Sequence, residues 1–159
     1  MFYTHSGGNL SSLKTVLKEV KKELRQTDKV RENAQESMRK ETSLSKQAIL
    51  LIHQKKFEEA KGLIEKAREA ISKLQGLAKE YPEIIYSGMF SAALQEYSEA
   101  TIFLRLIEEA RFASPKDIDV PSVDYVLGLA DVVGEYRRVA LDALREGDAK
   151  KAEDCLRTM

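Results

Sequence analysis

Cysteine, proline and glycine are scarce in this sequence, and each scarcity excludes a class of protein. Cys155 is the only cysteine, so no intramolecular disulfide can form, as is usual in a reducing compartment. Three prolines and eight glycines among 159 residues are too few for an all-β fold, which needs turn signals about every 8–12 residues. Tryptophan is absent and aromatic residues make up 7%, so the core must consist mainly of Leu, Ile, Val and Ala.

Signals for membranes and for several enzyme chemistries are also missing. No run of about 18 consecutive apolar residues is present, so the sequence predicts no transmembrane helix. The opening segment, MFYTHSGGNL, lacks the basic region and apolar run of a signal peptide, and we expect a cytoplasmic protein. A glycine-rich phosphate loop, a CxxC pair and a GxSxG motif are absent, so nucleotide-loop, thiol and serine chemistry have no support.

Charge is balanced overall but uneven along the chain. Basic and acidic residues number 26 each, whereas residues 1–80 hold 17 basic and 11 acidic residues and residues 81–159 hold 9 and 15. The basic half could attract an anionic partner, or it could reflect ordinary variation among solvated helix faces. The composition leaves both interpretations open.

Apolar residues recur at helical spacing through almost the whole chain. After a flexible segment at residues 1–9, the pattern predicts a single domain over residues 10–159. Five helices are predicted, at residues 10–53, 57–81, 83–112, 122–147 and 148–159. The first of them is expected to bend near Thr27-Asp28. Because the connections are short, we expect an all-α, antiparallel bundle of long helices. The last pattern reaches Met159 without a stop signal, as in a truncated chain or a frayed helix.

Short polar segments mark the predicted helix boundaries. Ser114-Pro115-Lys116-Asp117 has the order of an N-cap, a proline at the first helical position and an acid in the first turn. Ser122, after Pro121, is predicted to cap the next long helix. Gly147 is predicted to end that helix, and Asp148 to cap the last one.

Two acids interrupt the apolar stripe of the helix predicted at residues 83–112. Glu96 and Glu99 lie about 60° apart within that stripe, and the polar positions Ser98 and Arg105 are expected on the far side. Isolated carboxylates are costly to bury. We therefore expect both acids to be paired, hydrogen-bonded or bound to a metal ion.

Two further acids, Asp131 and Glu135, are i,i+4 neighbours in the next long helix, where Gly128 and Gly134 leave room for a ligand or another helix. Four carboxylates from two helices could hold Mg²⁺ or Mn²⁺, because hard divalent cations prefer oxygen ligands. A salt-bridge network for the first pair and a solvated face for the second is the alternative. His53 is interpreted as a residue at the end of the first helix that suits the helix dipole, away from these acids.

Two segments resemble the translin/Trax family, most closely its Trax branch. The run ALQEYSEA at residues 93–100 is similar to the Trax stretch LQEYxEA, and VDYVLGLADVVGE at residues 123–135 is similar to VDYLLGxADLxGE. Arg137-Arg138 and Gly147-Asp148 also fit. The similarity covers about residues 10–157 in order.

This resemblance implies an all-helical, translin-like protein that assembles into a hollow shell, with RNA inside that is cut at a divalent-metal site. Residue by residue, Glu96 and Glu99 match the acidic pair in the first Trax motif. Asp131 matches the aspartate of the second motif, and Glu135 matches the glutamate of the Gly-Glu pair at its end. Translin lacks the acidic pair, so the resemblance places this chain on the nuclease side. Eukaryotic Trax has a long insertion where residues 109–121 form a short link here, so we expect a prokaryotic or archaeal type of Trax-like homologue.

The hypothesis is a magnesium- or manganese-dependent endoribonuclease that cleaves single-stranded or partly unpaired RNA and forms a homo-oligomer, expected to be an octamer. Single-stranded DNA is a second candidate ligand, and no membrane partner is expected. Phosphate contacts, which give salt-sensitive affinity and little sequence preference, are predicted for the basic residues Lys14, Lys18, Lys21, Arg25, Arg31, Arg39, Arg137 and Arg138. The alternatives are a non-catalytic RNA- or DNA-binding shell with structural acids, and a plain helical interaction module.

Overall fold

The computed structural model describes the backbone of residues 7–159 and the side chains of residues 12–159. Over that range the chain is helical, without a strand, which confirms the predicted all-α fold. Its helices are α1 (Gly7–His53), α2 (Phe57–Leu77), α3 (Pro82–Ile85), α4 (Gly88–Glu109), α5 (Pro115–Ile118), α6 (Ser122–Arg145) and α7 (Ala149–Thr158). None of these helices is both long enough and apolar enough to cross a membrane. Of the segment predicted to be flexible, residues 1–9, the first six lie outside the described range and the last three belong to α1, which begins at Gly7.

The long helix α1 is packed along only part of its length. Its 47 residues correspond to about 70 Å, and it passes through Thr27-Asp28 without interruption. From Ala34 to Ile52 one side of it is buried against α2 and α4. Nearer the start, apolar side chains remain 44–60% exposed at Leu13, Val16, Leu17, Val20 and Leu24. The core therefore sits around the second half of α1.

Helix α2 returns along α1 after a tight turn. Lys55, in this turn, has a left-handed backbone with φ of +59°. The face predicted for α2 is buried at Ala60, Ile64, Ala67, Ile71 and Leu74. The second long contact joins α4 to α6, and α7 packs on α6. The acid-bearing helices α4 and α6 thus lie side by side, and α1 contacts α4.

The helix predicted at residues 83–112 is wrong in its extent, because the chain breaks there into α3 and α4. Ser87 is extended, and its carbonyl accepts hydrogen bonds from the backbone N–H groups of Phe90 and Ser91. The break lets α3 bury Ile84 and Ile85 in the core before α4 changes direction. Helix α4 then ends at Glu109, because the next residue has a left-handed backbone.

The predicted boundaries agree with the structure at three places and differ at one. Ser114 forms a capping box with Asp117, and Asp148 accepts a hydrogen bond from the backbone N–H of Lys151. Gly147, with φ of +80°, follows the end of α6 as expected. The cap predicted at Ser122 is wrong, because Pro121 occupies the cap position and Ser122 is the first helical residue.

Candidate functional site

The contact between α4 and α6 is closest at Gly128. A Cβ atom built there would lie 2.6 Å from the Gln95 carbonyl oxygen, 2.6 Å from the Ser98 Cβ and 2.9 Å from the Glu99 backbone nitrogen. The absence of a side chain therefore lets the two backbones meet. Ser98, expected on the polar side of α4, is instead fully buried at this contact and donates a hydrogen bond to the Leu94 carbonyl at 2.7 Å.

Glu99 is the acid at the centre of this contact. It is 8% exposed, and the described residues give it no hydrogen bond and no salt bridge. Burial, followed by the negative charges of Asp131, Glu96 and Glu135 in that order, raises its pKa to about 8. The other three acids predicted from the sequence therefore all lie within electrostatic reach of Glu99.

The other three acids each have one partner, and each partner contacts one carboxylate oxygen. The Lys46 Nζ lies 3.1 Å from Glu96 Oε1. Gln95 donates a hydrogen bond of 2.5 Å to Asp131 Oδ2. His53 Nε2 contacts Glu135 Oε2. One oxygen of each of these carboxylates remains outside these contacts.

His53 was predicted to lie away from the acids, and that interpretation is wrong. Its side chain is 8% exposed and joins the end of α1 to Glu135 on α6. Its ring centroid also lies 5.1 Å from that of Phe103, which packs edge-on against Tyr136. The contact joins residues 82 positions apart, so no local pattern could have indicated it.

Glu41 on α1 is a fifth acid that the sequence analysis missed. It is fully buried, and Ser45 donates a hydrogen bond of 2.7 Å to its Oε1. Its Oε2 is buried without a partner in the described part of the chain. Burial, with a smaller contribution from the charge of Glu96, raises the pKa of Glu41 to about 8, although the hydrogen bond from Ser45 acts to lower it. Glu41 follows Ala34 and Met38 on the buried line of α1, which is the signal that could have identified it.

We expect the folded protein to lose stability as the pH rises from about 5 to about 8. Unfolded Glu41 loses its proton near pH 4.5, whereas folded Glu41 keeps it up to about pH 8, so the unfolded state is increasingly favoured in between. Thermal unfolding at pH 5.5 and pH 8 should show a lower Tm at pH 8. Glu41→Gln should reduce this difference, while Glu36→Gln, on the exposed side of the same helix, should not. An equal pH slope in wild type and Glu41→Gln would contradict the assignment.

The oxygen-only donor set of Glu96, Glu99, Asp131 and Glu135 fits Mg²⁺ or Mn²⁺ better than a metal that prefers nitrogen or sulfur. The unpartnered Glu99 carboxylate and the second oxygens of its neighbours are available as donors. Within residues 12–159, no three His, Cys, Asp or Glu side chains are already grouped tightly enough to hold a metal ion. Ion binding would therefore require these side chains to move closer together.

The basic residues predicted to contact phosphates lie on two separate surfaces. Lys14, Lys18, Lys21 and Arg25 are exposed on the first half of α1, as is Arg39 further along. Arg31 is exposed and forms a salt bridge of 3.3 Å with Asp28. Arg137 and Arg138 are exposed on α6, immediately after Glu135 and Tyr136.

The architecture and the acid cluster define a class of all-helical proteins in which two packed core helices, α4 and α6, run in the same direction and bring several carboxylates together. The chain belongs to the Translin family, whose family model matches residues 28–159. It is also 33% identical over 128 residues to an uncharacterised protein of Methanocaldococcus jannaschii. That match covers 79% of this chain but 56% of the relative, so the chain spans little more than half of the relative's length.

Solved structures of similar proteins share the fold of this chain. The crystal structure of AfC3PO is 37% identical and superposes with a TM-score of 0.78 over 89% of this chain and 73% of that chain. The structure of AfC3PO in complex with duplex RNA is equally similar in sequence and coverage, with a TM-score of 0.77. Apo-NeC3PO, at 23% identity, shares the fold with a TM-score of 0.79 over 87% of this chain and 74% of that chain. The family predicted from the sequence motifs is confirmed.

Proposed function

We propose that this chain is a metal-dependent endoribonuclease of the translin/Trax type. The observation that carries the proposal is the buried Glu99, which has no hydrogen bond or salt bridge in the described part of the chain and lies within electrostatic reach of three other carboxylates on α4 and α6. Four neighbouring acids that repel one another, with Glu99 buried among them, are unfavourable for folding alone. Clusters of this kind are typical of functional sites, where a cation or a proton balances the charge.

In this proposal Glu96, Glu99, Asp131 and Glu135 hold Mg²⁺ or Mn²⁺ through their oxygens. A bound divalent cation supplies Lewis acidity towards a phosphodiester oxygen and lowers the pKa of a coordinated water. The chain's own side chains fix the arrangement, since Lys46 orients Glu96, Gln95 orients Asp131 and His53 orients Glu135. The free oxygen of Glu135 is then available either as a further ligand or to accept a proton from the attacking water.

The proposed substrate is single-stranded or partly unpaired RNA, with single-stranded DNA as a second ligand. Support for RNA comes from AfC3PO, which is 37% identical to this chain and has been solved with duplex RNA. The exposed basic residues of α1 and α6 would contact phosphates, which gives affinity without sequence preference.

We further propose that the chain forms a hollow homo-oligomeric shell, most simply an octamer. The exposed apolar side chains on the first half of α1, among them Leu13, Leu17 and Leu24, support an oligomer because such stripes usually face a partner. Light scattering on the purified chain tests the stoichiometry. A monomer at all protein concentrations would contradict the shell.

A cleavage assay with a matched pair of variants tests the enzymatic activity. Labelled single-stranded RNA should be cut with Mg²⁺ and left intact with EDTA, and Glu96→Gln should lower the rate about 100-fold because a ligand charge is lost. Glu108→Gln is the control, since Glu108 lies on the same helix, is 24% exposed like Glu96, and also pairs with a lysine. It should cleave like the wild type.

A non-catalytic RNA- or DNA-binding shell protein is the second candidate function. It is favoured by the fact that Glu96, Asp131 and Glu135 already have protein partners, as expected for a structural network. If the wild type retains RNA but does not cleave it with Mg²⁺ or Mn²⁺, this second function replaces the first.

We predict that the double variant Arg137→Gln, Arg138→Gln binds single-stranded RNA with a weaker salt dependence. Each lost phosphate contact should reduce the slope of log K against log salt by about 0.7, so the pair should reduce it by about 1.4. Fluorescence anisotropy between roughly 50 and 200 mM salt measures this slope. Arg157→Gln on α7, where Arg157 pairs with Glu153, should leave it unchanged. An unaltered slope in the double variant would remove these two residues from the interface.

A further inference from the structure

A half-open cavity of about 370 Å³ lies where the end of α1 meets α4, α6 and α7. Its wall is mainly apolar, with Phe57, Phe103, Ile107 and Val139 among the lining residues. Small-molecule sites usually measure about 300–1,000 Å³ and combine an apolar wall with a few polar groups. The size therefore suits one small ligand better than an extended one, and the aromatic side chains of Phe57 and Phe103 offer surfaces on which a planar group could pack.

His53 links this cavity to the acid cluster. Its ring lines the cavity next to Phe103, while its Nε2 contacts Glu135. The side chain is 8% exposed and is thus fixed between the two sites. A group held in the cavity would be separated from Glu135 by a single side chain.

The rim of the cavity carries two cations without an ion pair. Arg145 is paired with Asp142 at 2.9 Å, so these two charges compensate each other. Lys55 and Lys151 also line the cavity, and neither has a salt bridge within the described part of the chain. Glu146 is a single opposing charge at the same rim. The rim therefore has net positive charge available for an anionic group.

We propose that this cavity binds one unstacked nucleotide of the RNA substrate, next to the bond that the acid cluster cleaves. The faces of the base would lie against the apolar wall near Phe57 and Phe103, and its phosphate would be contacted by Lys55 and Lys151. Proteins hold unpaired bases in this way, by contact with aromatic side chains and by charge on the phosphate. The assignment rests on the proposed function for the identity of the ligand.

Binding of mononucleotides to the full chain tests the cavity without metal and without cleavage. Methyl NMR should show saturable shifts of Ile107 and Val139 with AMP or UMP, and no such shifts with inorganic phosphate. The double variant Lys55→Gln, Lys151→Gln should weaken AMP binding about tenfold, whereas Lys116→Gln, an exposed lysine on α5, should not change it. Equal shifts with phosphate alone, or no shifts with either nucleotide, would overturn the proposal.

A second variant connects the cavity to the cleavage reaction. Val139→Phe places a larger side chain on the cavity wall and should lower AMP affinity at least tenfold, and it should change which base is preferred beside the cut. If AMP binds to the wild type but RNA is not cleaved, the proposed nuclease function fails while the nucleotide site stands. If RNA is cleaved with an unchanged base preference in Val139→Phe and AMP does not bind, the nucleotide site fails while the nuclease function stands.

Discussion

Replacing Glu99 with glutamine is expected to lower the rate of RNA cleavage by about 100-fold or more without unfolding the chain. Folded Glu99 has a pKa of about 8 and is therefore largely neutral at pH 7 in the absence of a cation, so glutamine preserves its charge as well as its shape. Glutamine cannot supply the negative oxygen that a divalent cation needs, and removing one such electrostatic group typically costs about 10²–10³ in rate.

The measurement combines initial cleavage rates at saturating Mg²⁺ with thermal unfolding of the same proteins. At pH 7 and without Mg²⁺, Glu99→Gln should unfold at a temperature no lower than that of the wild type, because glutamine removes the cost of keeping Glu99 protonated above its unfolded pKa of 4.5. The control Glu108→Gln should retain both the Tm and the rate, since Glu108 pairs with Lys61 away from the cluster. Full activity of Glu99→Gln would show that the central carboxylate has no role in the chemistry.

The largest structural effect is expected from Gly128→Ala. The added Cβ would approach the Gln95 carbonyl oxygen and the Ser98 Cβ to 2.6 Å, and neither a backbone atom nor a buried Cβ can move away without shifting α4. Overpacking of this kind costs about 1–3 kcal/mol or more. Because the same contact places Glu99 beside Asp131, Gly128→Ala should also reduce cleavage in the fraction that remains folded.

Gly134→Ala provides the matched control six residues along the same helix. A Cβ atom at Gly134 would meet nothing within 4 Å, so only helix propensity changes, and alanine should stabilise the helix by about 0.5–1 kcal/mol. Urea unfolding should therefore move the midpoint in opposite directions for the two variants. Equal midpoints would show that α4 and α6 are not in close contact at Gly128.

The fold could be predicted from the sequence to the extent that it follows from helical periodicity. The long helices α1, α2 and α6 lie where the apolar spacing placed them, and the caps at Ser114 and Asp148 were recognisable because capping is local chemistry. The break at Ser87 was missed because it depends on burying Ile84 and Ile85 in the core, which the local sequence does not encode.

The candidate site was predictable on α4 and α6 but not on α1. Glu96 and Glu99 stood out because they interrupt an apolar stripe, and family resemblance added to the case for Asp131 and Glu135. The partners Lys46 and His53 come from a different helix, and their contacts become visible only when α1 is packed against the others. Their roles towards a metal ion and RNA remain predictions for the assays above.

The continuity of α1 has a mechanical consequence for the acids. Lys46 and His53 are seven residues apart, which is almost two full turns, so both project from nearly the same side of one rod. One of them contacts an acid of α4 and the other an acid of α6. A single residue inserted between them would rotate one contact by about 100° relative to the other, so only one of the two acids could keep its partner. The spacing between these two positions is thus under tighter geometric constraint than the identity of the residues that separate them.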